Sequence, residues 1–143
     1  MLEIINQQRK IKIETALFHD FAETAINIIP EANGKDLTIA FVSDKKIREL
    51  NKTFRDKNKE TDVLSFPFEH DEYDSLETDN FLGDIVISLE QAERQAKEND
   101  LTLEIEIKQL ILHGILHLCG YDHAVDQGEM DSMEIKLRDK LNV

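Results

Sequence analysis

The stretch that decides the fold is residues 113–123, which read His-Gly-Ile-Leu-His-Leu-Cys-Gly-Tyr-Asp-His. His113 and His117 are four residues apart, so on a helix both imidazoles project from one face. Gly120 can adopt the left-handed conformation that ends a helix, and a turn could direct His123 back to the same point. Three neutral imidazoles that leave one position open are the ligand set of a catalytic zinc. The stretch therefore predicts a metal site formed by His113, His117 and His123.

The helix that carries these histidines is expected to be buried. Apolar residues from Leu110 to Cys119 surround it on nearly every side, and a helix that is apolar all round is buried all round. A buried imidazole without a partner is costly, and a metal would satisfy both histidines at once. The alternative is a pair of core histidines hydrogen-bonded to the backbone, but three histidines at this spacing favour the metal.

Length and composition indicate one globular domain over residues 1–143. The chain is long enough for a sizeable core, and its 41% hydrophobic and 33% charged residues are typical of a soluble protein. No stretch approaches the ~18 apolar residues of a membrane span, and the N-terminus does not resemble a secretory signal. One cysteine fits a reducing compartment. We therefore expect a cytoplasmic protein with no membrane partner.

The charge is distributed unevenly. A net charge of −13 by itself argues against a nucleic-acid partner. However, residues 45–59 carry seven Lys and Arg side chains against Glu49 and Asp56, a local +5 on a remainder of −18. This window is either a solvated helix face or a patch that grips a phosphate chain, and the sequence leaves both open.

Hydrophobic periodicity predicts four strands and five helices. The strands are expected at residues 2–7, 37–42, 61–68 and 82–87. The helices are expected at residues 15–29, 43–54, 88–99, 102–119 and 130–141. Pro67 should end the third strand or place it at a sheet edge.

Several boundaries rest on specific residues. Ser43 and Ser88 are predicted N-caps, and Asp126 with Glu129 suggests a cap for the last helix. Residues 101–108 fit a strand as well as a helix, and the metal argument favours the helix. The acidic residues 69–80 indicate a solvated loop more than a second metal site, because like charges repel one another.

Four stretches resemble, in order, the YbeY family of bacterial rRNA maturation factors, which are metal-dependent endoribonucleases. They are Leu50–Arg55, Thr61–Pro67, Leu82–Ser88 and His113–His123. The resemblance implies an α+β fold in which a four-stranded mixed sheet packs with about five helices around a central zinc-binding helix with a metzincin-like site. It also implies cleavage of single-stranded ribosomal RNA in small-subunit end processing and ribosome quality control, with the ribosome or ribosome-associated proteins as partners.

A mechanism follows from this ligand set. Zinc lowers the pKa of a bound water to about 7. Other divalent ions also fit three histidines. By resemblance, Arg55 is the candidate that stabilises the phosphorane, and His113 belongs to the catalytic centre; the alternative for Arg55 is a solvated loop side chain. Asp62 and Asp84 either orient a ligand imidazole or are ordinary strand-end residues.

Other reactive side chains are assigned no chemistry. Cys119 lies about 200° past His117 on the helix and is predicted to be core. His19 and His70 are interpreted as incidental, and Met130 and Met133 as core filling.

Two other functions compete with the nuclease. The spacing of the histidines is also that of metzincin peptidases, but Gly114 stands where those enzymes place their general-base Glu. A metal-stabilised ribosome-assembly factor that acts by binding is the second alternative, and the acidic remainder of the chain favours it.

Overall fold

A computed structural model describes residues 2–57, 61–68, 80–121 and 127–143. The described strands are β1 (Leu2–Asn6), β2 (Asp36–Val42), β3 (Val63–Pro67) and β4 (Phe81–Ser88). The described helices are α1 (Thr15–Ile28), α2 (Asp44–Arg55), α3 (Leu89–Glu98), α4 (Leu103–Leu118) and α5 (Glu129–Leu141). These elements confirm the predicted α+β class and the predicted number of strands and helices in the described ranges.

The four strands form one mixed sheet in the order β1-β2-β4-β3. The β1–β2 and β2–β4 pairs are parallel, whereas β3 runs antiparallel to β4 with Ser65 opposite Ile85. β3 is therefore an edge strand, as Pro67 at its end predicted. An edge strand leaves backbone donors and acceptors available on its outer side.

The two faces of the sheet bury different clusters. On one face, Ile39, Phe41 and Ile85 are fully buried in the main core together with residues of α1 and α4. Side chains on the other face of the sheet form a smaller cluster. It contains Val42, Leu64 and Val86 of the strands and Ile47 of α2. This alternation is the period of two that a pleated strand imposes.

Gly114 allows α4 to approach the sheet closely. A Cβ atom at this position would lie 2.9 Å from Cδ1 and 3.0 Å from Cγ2 of Ile85 on β4. Residue 114 therefore faces the sheet. This close contact sets the distance between β4 and the part of α4 that carries His113 and His117.

Two predicted helix caps are confirmed. Ser43 accepts a hydrogen bond from the backbone N–H of Lys46 at 3.2 Å, and Ser88 accepts one from Gln91 at 3.3 Å. The predicted cap of the last helix is wrong, because α5 begins after Gly128, which has φ +100° and makes no side-chain cap. Asp126, the residue proposed for that cap, lies outside the described residues.

The ambiguous segment 101–108 is helical from Leu103 onward. Thr102 caps this helix by accepting a hydrogen bond from the Ile105 N–H at 3.2 Å. Glu104 and Glu106 occupy the first turn, where carboxylates interact favourably with the helix dipole. Capping and charge agree with the helical interpretation.

None of the helices in the described residues combines the length and the apolar character needed to cross a membrane.

Candidate active site in the cleft between β3 and α4

A cavity lies where the end of α2, the edge strand β3 and the C-terminal half of α4 meet. Its volume is about 790 Å³. Its lining residues come from all three elements and from the turn after α4: Asn51, Arg55, Lys57, Thr61, Asp62, Val63, Leu64, Ser65, Pro67, His113, His117, Gly120 and Tyr121. His113, His117 and the candidate arginine, Arg55, therefore share one cleft.

His113 and His117 converge inside this cleft. Their Nε2 atoms are 3.0 Å apart and their ring centroids are 4.6 Å apart. Two nitrogens on a tetrahedral zinc at ~2.0–2.1 Å each would be separated by about 3.3 Å. The observed separation is close to that value, so the two imidazoles fit a shared ion.

Glu134 of α5 contacts the second ring nitrogen of His113. Its Oε1 lies 3.1 Å from Nδ1 of His113, and the Glu134 side chain is 8% exposed. A carboxylate can only accept, so Nδ1 of His113 donates to Glu134, and Nε2 is the ring nitrogen that faces Nε2 of His117. A carboxylate behind a histidine is the usual outer partner of a metal-binding imidazole.

Burial of the histidine-bearing helix differs from the expectation. Nine residues of α4 are buried, but His113 and His117 are only half-buried, because their side of the helix opens to the cleft. The pair is therefore accessible to solvent and substrate, unlike a pair of core histidines.

His123, the third predicted ligand, lies outside the described residues, as does His70. Within the described ranges, a different trio brings potential ligand atoms within 4.8 Å of one another: His19, Asp20 and Glu23 on the surface of α1. This group could hold a metal ion, although its two carboxylates are exposed. His19 also pairs with Glu23 at 3.7 Å, an ordinary contact between residues four apart on a helix.

Arg55 is the last residue of α2 and lies at the rim of the cleft. One Nη atom donates to the backbone oxygen of Ser65 at 2.8 Å, and its guanidinium carbon lies 5.8 Å from the ring centroid of Phe66. These two contacts attach the side chain to β3. Since a guanidinium has five N–H donors, the remaining ones are available to a bound phosphate.

The predicted basic window coincides largely with α2. In the described part of that window, six Lys and Arg side chains are exposed: Lys45, Lys46, Arg48, Lys52, Arg55 and Lys57. The patch leads along the helix to the cleft. Such an arrangement attracts a polyanion locally while the rest of the protein stays acidic.

Asp62 and Asp84, which the sequence analysis considered as residues that orient a ligand imidazole, lie in different places. Asp62 lines the cleft, but its Oδ1 caps the start of β3 by accepting from the Val63 N–H at 2.8 Å. Asp84 precedes Ile85 on β4, and since Ile85 faces α4, Asp84 faces the opposite side of the sheet. Burial raises the pKa of Asp84. Asp84 therefore cannot orient the imidazoles, and Glu134 occupies that place.

The prediction for Cys119 is confirmed. Its side chain is half-buried and packs against the main core, and burial together with the charge of Glu31 raises the thiol pKa to about 11. A thiol that stays protonated at neutral pH is a poor nucleophile and a poor ligand.

Glu134 is the site residue that sequence reasoning missed. It lies between Met130 and Leu137 on α5, and all three residues are buried. A carboxylate at a position that helical spacing assigns to the core was the available signal, since buried charges are normally paired.

The comparisons with known proteins extend the likeness beyond the four matching stretches. The sequence model of the family described as endoribonuclease YbeY matches residues 3–142. The endoribonuclease YbeY of Aquifex aeolicus is 44% identical over 120 residues, which cover 84% of this chain and 77% of the relative. That of Acholeplasma laidlawii is 39% identical over 141 residues, which cover 97% of each chain. The solution structure of a Thermotoga maritima protein, 28% identical, covers 99% of this chain and 89% of its own with a TM-score of 0.65.

Proposed function

The chain belongs to the endoribonuclease YbeY family, a family of hydrolytic nucleases, and from that premise we propose that it is a metal-dependent endoribonuclease of single-stranded RNA. The observation that carries the proposal is the pair of Nε2 atoms 3.0 Å apart on His113 and His117, in a cleft that Arg55 also lines. Two nitrogen atoms that can bind a metal ion, beside a cationic arginine, suit the cleavage of a phosphodiester, which carries a negative charge.

The metal in this proposal is one Zn²⁺ ion held by His113, His117 and His123. When bound, the ion would supply the attacking water with its pKa lowered to about 7, so that no carboxylate base would be needed. Glu134 keeps the proton of His113 on Nδ1 and so keeps Nε2 ready to coordinate. Imidazole sites also accept other divalent ions, so zinc is the first candidate among several.

Arg55 is the proposed catalytic cation. Negative charge builds on the phosphate oxygens as the phosphodiester is attacked, and a planar guanidinium can donate to two of them at once. The hydrogen bond to Ser65 and the contact with Phe66 hold Arg55 before substrate arrives. Fixed donors stabilise the developing charge without the cost of reorganisation.

The proposed biological substrate is single-stranded ribosomal RNA. The exposed basic residues of α2 would contact the phosphates on either side of the cleaved bond. In this proposal the protein works in the cytoplasm, as one domain over residues 1–143, in end processing of small-subunit rRNA and in ribosome quality control. The ribosome or proteins associated with it would be its partners, and the acidic remainder of the chain would limit binding to other RNA.

The experiment that tests the proposal compares His117→Ala with His19→Ala, which removes the half-buried histidine of the other possible metal group on α1. Zinc per chain and cleavage of a labelled single-stranded oligoribonucleotide are measured for both, with and without chelator. We expect His117→Ala to lose the zinc and the cleavage, and His19→Ala to keep both. Unchanged zinc content in His117→Ala would remove the site, and cleavage that survives the loss of zinc would make the metal structural.

A binding role remains the competing function, favoured by the charge of −18 outside residues 45–59. A nuclease turns over excess RNA, whereas a binding factor saturates at a stoichiometric ratio, so turnover under excess substrate separates the two. The peptidase alternative has little support, because Gly114 stands where metzincin peptidases place their general-base Glu and has no side chain to act as that base.

A further inference from the structure

Phe54 is an exposed aromatic side chain beside the cleft. Three large apolar side chains in the described ranges are exposed, and at 63% Phe54 is the aromatic one among them. It lies on α2, which otherwise buries Ile47 and Asn51 against the sheet and exposes lysines and arginines. An exposed aromatic ring among lysines and arginines is the combination found on surfaces that bind single-stranded nucleic acid.

The ring of Phe54 is held in place by the sheet. It contacts Phe66 of β3 edge to face, with centroids 5.4 Å apart and an interplanar angle of 68°. Phe66 in turn packs against the cluster of Val42, Ile47, Leu64 and Val86. The contact holds the Phe54 ring on one side, and Phe54 stays 63% exposed.

Phe54 and the candidate catalytic arginine share this support. The Arg55 guanidinium lies over the same Phe66 ring that Phe54 touches, and it reaches the cleft through Ser65. A chain that places a phosphate at Arg55 would therefore bring a neighbouring base to Phe54. The surrounding cations would contact the backbone of that chain.

We propose that Phe54 is a stacking platform for a nucleobase of single-stranded RNA next to the cleaved phosphodiester. Aromatic rings beside cationic grooves bind single strands in this way, and they tolerate any base because every base has a π face. A duplex keeps its bases stacked inside the helix and cannot offer one to Phe54. The inference rests on the proposed nuclease function and adds a residue that selects single strands.

The first test replaces the aromatic face but keeps the apolar bulk. We expect Phe54→Leu to raise the Kd for a labelled single-stranded oligoribonucleotide about tenfold, because the variant loses the stacking of one base. Phe54→Tyr should bind within about twofold of the parent, because its ring also stacks. Circular dichroism of each variant checks the fold. Equal affinity of Phe54→Leu and the parent would overturn the proposal.

The second test uses the absence of tryptophan from the chain. Phe54→Trp introduces a single indole, and we expect its fluorescence to be quenched by the single-stranded oligomer but much less by a duplex or by an abasic oligomer. Leu17→Trp, at a 45% exposed position on α1, is the matched control and should not respond. Equal quenching by the abasic oligomer would show that only the charged backbone approaches Phe54, and would overturn stacking.

The two proposals fail separately. If base-dependent quenching is seen but the metal-loaded parent does not turn over RNA, stacking stands and the nuclease function fails. If the parent cleaves RNA and Phe54→Leu binds it equally well, the nuclease stands and the stacking platform fails.

Discussion

Oε1 of Glu134 lies 3.1 Å from Nδ1 of His113, although the two residues are 21 positions apart and belong to different helices. The carboxylate is buried and also accepts from an Nη atom of Arg138 at 3.3 Å. It is therefore fixed on two sides. This contact determines which nitrogen of His113 faces the cleft.

The first prediction concerns this positioning carboxylate. We expect Glu134→Gln to weaken zinc binding about tenfold, because loss of an outer-shell partner costs ~10–100-fold in metal affinity. Affinity is measured by competition with a chromophoric chelator. Asp139→Asn, which removes an exposed carboxylate from the same helix, is the control and should bind zinc as the parent does. Equal weakening by both variants would point to overall charge and not to the contact with His113.

The second prediction separates Arg55 from the metal. We expect Arg55→Ala to keep its zinc but to lose roughly 10²–10³-fold in kcat, the cost of removing one donor to the developing charge. Arg55→Lys should recover little, since an ammonium cannot donate to two phosphate oxygens in a fixed plane.

Lys52→Ala is the matched control, because Lys52 is an exposed cation on the same helix. It should weaken RNA binding modestly, more at low salt than at high salt, and leave kcat nearly unchanged. A parent-like kcat and RNA affinity in Arg55→Ala would show that the assigned role is wrong.

Local signals predicted most of the fold. Ser43 and Ser88 cap their helices because capping depends on residues within one turn, and Pro67 marks an edge because it lacks a donor. Contacts between segments that are far apart in the sequence were harder to predict. Glu134 meets His113 only because α5 packs on α4, and the strand register alone decides that Asp84 faces away from α4. The convergence of His113 and His117, four apart on α4, was predictable, whereas the sequence of α5 could mark Glu134 as a buried carboxylate but could not name His113 as its partner.

The third prediction concerns the pH dependence of stability through Asp84. Burial raises its pKa above the ordinary 3.8, so the folded protein holds this proton more tightly than the unfolded chain. The ionised carboxylate therefore costs stability at neutral pH, and the cost disappears as the pH falls through the folded pKa and below 3.8. We expect Asp84→Asn to raise the free energy of unfolding at about pH 7 and to lose that advantage toward about pH 3.

Urea unfolding at several pH values measures this difference, with Glu3→Gln as an exposed control on β1. Zinc affinity of Asp84→Asn should equal that of the parent, because Asp84 lies on the other side of the sheet. A variant that loses zinc would contradict the placement of Asp84.

The last prediction tests the approach of α4 to the sheet at Gly114. Alanine is a better helix former than glycine by ~1 kcal/mol, but its Cβ would lie 2.9–3.1 Å from three side-chain atoms of the fully buried Ile85. Overpacking of a core costs about 1–3 kcal/mol, so we expect Gly114→Ala to lower the free energy of unfolding by roughly 1 kcal/mol. Combining it with Ile85→Val, which removes the nearest methyl, should cost less than the sum of the two single changes. If urea unfolding shows that the two losses are additive, the added methyl does not press on Ile85. The contact between residue 114 and Ile85 then does not set the distance between α4 and the sheet.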